Sequence, residues 1–250
     1  MTEQQQVADA TASNPVVLVT GAYGGLGAAV AGELAEQGVT VVLLGRKVRQ
    51  LERVYDAVNK RGTEPVLYPL DLEGASPDDY FELMQAIGSQ LGRLDAVVHA
   101  AANFEGLTPL NQLDPAKLAR ALHVNFTSMA WLTQAAQPLL RETAERTGVP
   151  SKVMIVVDDA ERVSNPFWGG YGMAQLSRRQ FVQMQARELG EKSPIHVMGF
   201  MPGPMRTMLR SRAYADDTNP QTRNPADVAP ALVKVLNSDN HHGQIIGAPL

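Results

Sequence analysis

Along the chain, short unbroken apolar runs alternate with longer stretches in which apolar positions recur every three or four residues. The runs fall at 16–20, 39–45, 65–70, 94–101, 152–157 and 195–200, with a brief one at 244–246. Apolar runs without polar alternation fit strands of a parallel sheet covered by helices on both faces, where side chains are buried whichever way they point. Between the runs the period is helical. Leu26, Val30 and Leu34 repeat every four residues, and Leu118, Leu122, Phe126, Met129 and Leu132 every three or four. Asp114 and Pro115 give the second of these helices a cap and a proline in its first turn. Strand–helix alternation builds right-handed crossovers, so the pattern predicts an α/β fold: a Rossmann-like, doubly wound parallel sheet of about seven strands flanked by helices.

With 250 residues and 44% hydrophobic content, the chain can bury a large core. Residues 1–14 are polar and lack the basic start and apolar centre of a signal peptide, so we expect a flexible tail followed by a single domain over 15–250. A net charge of −4 and the lack of a Lys/Arg-rich run give no footprint for nucleic acid. No apolar stretch approaches the ~20 residues that span a bilayer. Without cysteine there is no disulfide scaffold, thiolate metal site or cysteine nucleophile. That composition fits a reducing compartment, and the cytoplasm is the expected location. We expect no metal site at His241-His242, since adjacent residues of an extended segment point apart.

The segment Thr20-Gly21-Ala22-Tyr23-Gly24-Gly25-Leu26-Gly27 joins the first apolar run to a helical stretch. A glycine-rich turn between a strand's carboxyl end and a helix's amino end suits nucleotide phosphates, because free backbone N–H groups and the positive end of the helix dipole point outward there. Gly21 would allow the tight turn, Gly25 the approach of a pyrophosphate, and Gly27 close helix–strand packing.

Together with four later motifs, this segment resembles the short-chain dehydrogenases/reductases, and the resemblance covers roughly 16–247. Asp71-Leu72 after the third strand looks like the family's adenine-contacting pair, and Asn125 in His-Val-Asn-Phe like its helix asparagine. Tyr171 falls at the catalytic tyrosine, while Pro202-Gly203 with Thr207 matches the stretch beside the nicotinamide. Gly21, Tyr23, Gly24, Gly25, Leu26, Gly27, Asp71, Leu72, Ala100, Tyr171, Gln175, Pro202 and Gly203 are thereby cofactor-binding candidates. The second strand ends in Gly45-Arg46 rather than in the acid that commonly accepts from ribose hydroxyls. Arginine can bind a 2′-phosphate through charge-assisted hydrogen bonds, which favours NADP(H) over NAD(H). The resemblance also implies a small-molecule substrate and a homodimer or homotetramer built through the helices carrying Asn125 and Tyr171.

Two of the four catalytic positions depart from the family pattern. The resemblance implies that tyrosine moves a proton to or from the substrate oxygen and serine holds that oxygen. A lysine four residues after the tyrosine lowers its pKa and binds ribose, and the asparagine anchors a water in the proton relay. Here the lysine position is Gln175, and the serine position, thirteen residues before Tyr171, is Asp158, or Asp159 if a loop differs by one residue. Glutamine supplies no positive charge, and a carboxylate disfavours tyrosinate. Alcohol oxidation needs that base, whereas a neutral phenol still donates a proton, so reduction should outlast oxidation. Tyr171, Asn125, Asp158 and Gln175 are the catalytic candidates, and weakened activity is expected.

Arg162 could neutralise the aspartate pair. Arg178 and Arg179, two turns beyond Tyr171, are expected to be too distant or solvent-facing. His99, within the altered His99-Ala100-Ala101-Ala102, is expected to be packed rather than to transfer protons, and Asp95 and Glu161 to be structural or solvated. Phe167 and Trp168 should border the site, as should Met205, Met208, Leu209 and Tyr214. Residues 210–224 form either a lid or ordinary core and subunit contacts. Three functions stay open: an NADP(H)-dependent reductase of a small apolar carbonyl compound, a non-catalytic dinucleotide-binding sensor or partner protein, and proton-transfer chemistry such as dehydration.

Overall fold

The computed structural model describes residues 14–249, so all of the expected tail except Asn14 lies outside the described residues. Each apolar run coincides with a strand to within two residues at either end: β1 (Val16–Thr20), β2 (Thr40–Gly45), β3 (Val66–Pro69), β4 (Ala96–His99), β5 (Ser151–Val156), β6 (Ile195–Met201) and β7 (Ile245–Gly247). All pairings are parallel, in the order β3-β2-β1-β4-β5-β6-β7. The helices are α1 (Gly25–Glu36), α2 (Val48–Asn59), α3 (Pro77–Leu91), α4 (Pro115–Leu122), α5 (Ser128–Thr147), α6 (Ala160–Val163), α7 (Gly169–Leu189) and α8 (Pro225–Leu236).

Successive β1 side chains enter opposite cores, as the strand period of two requires. Val16 and Leu18 join Tyr80 and Leu83 of α3 and Leu132 of α5. Val17 and Val19 join Val30 and Leu34 of α1 and Leu232 of α8. This double covering is why the strands read as continuous apolar runs. The chain winds outward from β1 to β3, returns to β4, and winds outward on the other side. The carboxyl ends of β1 and β4 thus flank the crevice where such sheets take their ligands.

Local chemistry sets several boundaries. Ser76 and Asp79 form a capping box with Pro77 at the start of α3, and the Asp114 carboxylate accepts from the Lys117 N–H at 2.9 Å. The apolar stripe from Leu118 to Leu132 predicts one continuous helix. The structure instead inserts a π-helical turn, His123–Thr127, between α4 and α5. The apolar run 94–101 also exceeds its strand. Asp95 lies just before β4, where its carboxylate accepts from the Val16 N–H at 2.7 Å and pairs with Arg93 at 2.6 Å. That residue joins β1 to the approach to β4.

Candidate active site

A cavity of about 640 Å³ runs along the carboxyl ends of the central strands, from Arg46 and Asp71 at one end to Tyr171 and Arg212 at the other. Its floor is the turn between β1 and α1. Gly21 has φ 65°, and a Cβ there would lie 2.7 Å from the Ala101 Cα, so backbone from the β1 and β4 ends meets almost directly. A Cβ on Gly27 would come within 2.4 Å of the Gly21 carbonyl oxygen, which makes glycine necessary for this helix–turn contact. Helix α1 has no side-chain cap, and the Ala28 N–H is bonded to the Gly24 carbonyl. The amides before Ala28 therefore form the exposed positive end of the helix.

This donor set and shape fit a dinucleotide. A Cβ on Gly25 would approach the Thr207 methyl at 2.9 Å and the Pro225 ring at 3.0 Å, filling the channel between the two walls. Gly21, Tyr23, Gly24, Gly25, Leu26, Gly27, Arg46, Asp71, Leu72, Ala100, Pro202 and Gly203 all line the cavity. Arg46 lies 3.8 Å from Asp71 and 3.6 Å from Glu73, with all three side chains substantially exposed. Glu73 was not singled out from sequence. Its cue was a second acid two positions after Asp71.

At the opposite end, the Tyr171 phenol donates to Asp158 Oδ2 at 2.9 Å. The other Asp158 oxygen accepts from Arg162 Nη2. Asp158 therefore faces the phenol, whereas Asp159 caps α6 by accepting from the Arg162 N–H at 2.8 Å. Burial pushes the Tyr171 pKa well above the usual tyrosine value, and the Asp158 carboxylate pushes it further. Gln175 Oε1 accepts from the Asp158 N–H at 3.1 Å, fixing the backbone that presents the carboxylate.

The expectation that Arg178 is too distant or solvent-facing is overturned, whereas Arg179 does not line the cavity. Arg178 is only 2% exposed and lines the cavity. Its guanidinium donates to the carbonyls of Asn125, Val156 at 2.9 Å and Ala101 at 2.7 Å. Arg179 Nη1 donates to the Asp158 carbonyl at 3.1 Å. One turn beyond Gln175, Arg178 falls on the same α7 face as Tyr171, which carries its side chain inward. Asn125 is fully buried within the π-turn. Its amide accepts from the Asn103 N–H at 2.7 Å and donates to the Asn103 and Ala121 carbonyls, both at 2.8 Å. It fixes the loop after β4 and does not itself line the cavity.

His99 is buried beneath the site, its Nε2 2.9 Å from Thr133 Oγ1. Burial and then Arg178 hold its pKa down at about 3. His242 accepts from the Val197 N–H at 3.1 Å and lies 3.0 Å from the Ala186 carbonyl through its other ring nitrogen.

The Tyr171 end of the cavity is aromatic. Phe104, Val163, Trp168 and Tyr171 form a buried cluster against Leu209, Ala213 and Tyr214. Trp168 lies 5.8 Å from Tyr171 between ring centroids, and Phe104 lies 5.1 Å from each. Phe104 sits in a loop without periodicity, so sequence reasoning missed it. Phe167 does not border the cavity as expected. Its backbone is left-handed, φ 78°, and its ring is half exposed. Met205, Met208 and Leu209 line the cavity, with Met208 81% exposed. The segment 210–224 is pinned rather than free: Arg210 pairs with Asp217 at 2.6 Å, and Arg212 donates to the Phe104 carbonyl.

The chain belongs to the short chain dehydrogenase family, whose model matches residues 15–218. It is 27% identical over 226 residues to the uncharacterized oxidoreductase YciK of Escherichia coli K12, across 90% of this chain and 87% of that protein. A solved short chain dehydrogenase from Pseudomonas syringae superposes with a TM-score of 0.85 at 31% identity, covering 94% of this chain and 95% of that one. Another, from Escherichia coli CFT073 and complexed with NADPH, gives 0.87 at 28% identity, covering 96% and 99%. The protein is thus an oxidoreductase of this family by sequence and fold. Among the described residues, no helix is long and apolar enough to cross a membrane.

Proposed function

We propose that the protein is an NADP(H)-dependent reductase of a small apolar carbonyl compound, with Tyr171 as proton donor. The observation that carries this reading is the buried Tyr171 phenol in the same cavity as the glycine-rich helix end, kept protonated by burial and by Asp158. The helix α1 amides would hold the pyrophosphate, Arg46 the 2′-phosphate, and Gln175 a ribose hydroxyl. A reduced nicotinamide held there would supply a hydride to the carbonyl carbon. Tyr171 exchanges its bond to Asp158 for one to the substrate oxygen, gives that oxygen its proton, and is reprotonated from water. Asp158 and Gln175 stand where the resemblance expects serine and lysine. A carboxylate beside the phenol slows formation of tyrosinate, so activity is weakened and oxidation suffers more than reduction.

NADPH should bind, as read by fluorescence or calorimetry, and single-turnover NADPH oxidation should proceed with at least one member of a panel of apolar ketones and aldehydes. Tyr171→Phe should slow that turnover by about 10²–10⁴-fold, the usual worth of a positioned acid. Unchanged turnover in that variant would sink the reading. The bond from Tyr171 to Asp158 also favours a second reading, a dinucleotide-binding module without catalysis, because the resting phenol is already engaged. NADPH binding with no turnover on any compound would select it.

A further inference from the structure

The cavity contains a cation that the reductase reading leaves unused. Tyr171, Gln175 and Arg178 fall at i, i+4 and i+7 of α7, one stripe of the helix. The three donor nitrogens of Arg178 each reach a carbonyl: Ala101 after β4, Val156 at the end of β5, and Asn125 in the π-turn. None of these partners is a carboxylate. The nearby acid, Asp158, is engaged by Arg162 and Tyr171. Arg178 thus brings a positive charge into the cavity wall that no anion among the described residues neutralises directly. Burial lowers its pKa to about 10, which still leaves it charged at neutral pH.

We propose that Arg178 is the positioning cation of this site, taking over from one turn further along α7 the electrostatic support of Tyr171 that Gln175 cannot give. This inference rests on the reductase reading. When the phenol has given its proton to the product oxygen, the oxygen left on Tyr171 is negative. Three charged groups act on that charge. Asp158, at the start of the segment after β5, opposes it, and Arg162 of α6 offsets Asp158. Arg178 of α7 stabilises it, while His99 of β4 stays neutral at working pH. The same guanidinium ties the Asn125 carbonyl to α7, so the backbone around the reaction end is held by the group that supplies the charge. Arg178 also favours reduced over oxidised cofactor, because the oxidised nicotinamide ring is positive.

The test uses Arg178→Lys, Arg178→Gln and the double variant Gln175→Lys/Arg178→Gln. In Arg178→Gln, the ratio of NADP⁺ to NADPH dissociation constants, read by calorimetry without substrate, should fall at least threefold. Single-turnover reduction should slow by about 10²-fold, at the low end of acid–base effects. Restoring a cation at 175 in the double variant should recover at least tenfold of that loss. Arg178→Lys decides the matter if Arg178→Gln does not fold. A buried lysine loses its proton at lower pH than arginine, so its rate and its cofactor ratio should gain a falling limb as pH rises, absent from wild type. A role limited to holding three carbonyls predicts no new limb, no change in the ratio and no rescue from 175, and those results would overturn the inference. If wild type binds NADPH but reduces nothing, the reductase reading fails, while the binding ratio and its pH limb still judge Arg178.

Discussion

The imidazole of His99 contacts a hydroxyl whose single hydrogen is already committed. Thr133 Oγ1 donates to the Met129 carbonyl at 2.8 Å, so its lone pair accepts from His99 Nε2–H. The ring is therefore the neutral Nε2–H tautomer. Burial first and Arg178 second hold its pKa at about 3, against 6.5 for an unperturbed histidine. The sign follows directly. Below pH 6.5 the unfolded chain binds a proton at this position that the folded protein refuses until about pH 3. Stability is complete above 6.5 and is lost as pH falls through that window, by about 1.4 kcal/mol per pH unit. Between pH 7 and pH 4.5 the His99 share is about 2.7 kcal/mol. Urea unfolding of wild type and His99→Gln at both pH values isolates that share, since the protein's other acids titrate alike in each. Parallel acid losses in the two proteins would show that this imidazole is not held neutral.

At the scale of elements, helix α1 gives up its own capping. Its N-cap is Gly24, which has no side chain to satisfy the first amides, so those donors are left for a ligand. Placing a carboxylate there should compete with a phosphate through both charge and hydrogen bonding. Gly24→Asp is expected to weaken NADPH binding about tenfold more than Gly24→Asn, a difference of about 1.4 kcal/mol, within the upper range for charges at helix ends. The two side chains have nearly the same shape and meet the Gly21 carbonyl alike, so their difference reports charge. Equal calorimetric losses would mean that the amides do not hold an anion.

This helix end was legible in the sequence because strand, glycine turn and apolar helix occur in order, each with its own period. The seven strands were legible because burial on both faces leaves uninterrupted apolar runs. The π-turn at Asn125 was not, since one wide turn scarcely disturbs a spacing of three or four. Arg178 was hidden for a different reason. An arginine on a helix ordinarily keeps its charge in water, and only the three carbonyls converging from distant parts of the chain make its burial tolerable. Its position on the Tyr171 stripe was the available cue. Phe104 gave none, because a loop carries no period.

Across the whole molecule, the reversal of strand order between β1 and β4 sets the Arg46 and Tyr171 ends of one cavity against strands from both halves of the sheet. A ligand spanning both should therefore stabilise the entire fold. Binding at a hundred times its dissociation constant contributes about 2.7 kcal/mol, and a chain of this size gains about 2–4 °C in Tm per kcal/mol. NADPH at that level should raise Tm by about 5–11 °C. Under the proposed function, cofactor choice depends on Arg46, which lies 3.8 Å from Asp71 and 3.6 Å from Glu73. Exposed pairs of that length are worth at most about 1 kcal/mol, and a phosphate carrying more than one charge can draw the guanidinium away. NADH at equal concentration should stabilise less, by about 1.4 kcal/mol for each tenfold difference in affinity. Arg46→Ala should erase that gap, and Glu73→Gln should widen it by releasing the guanidinium from one competitor. If NADH raises Tm as far as NADPH in wild type, or if Arg46→Ala leaves the gap intact, the 2′-phosphate is not read by this arginine.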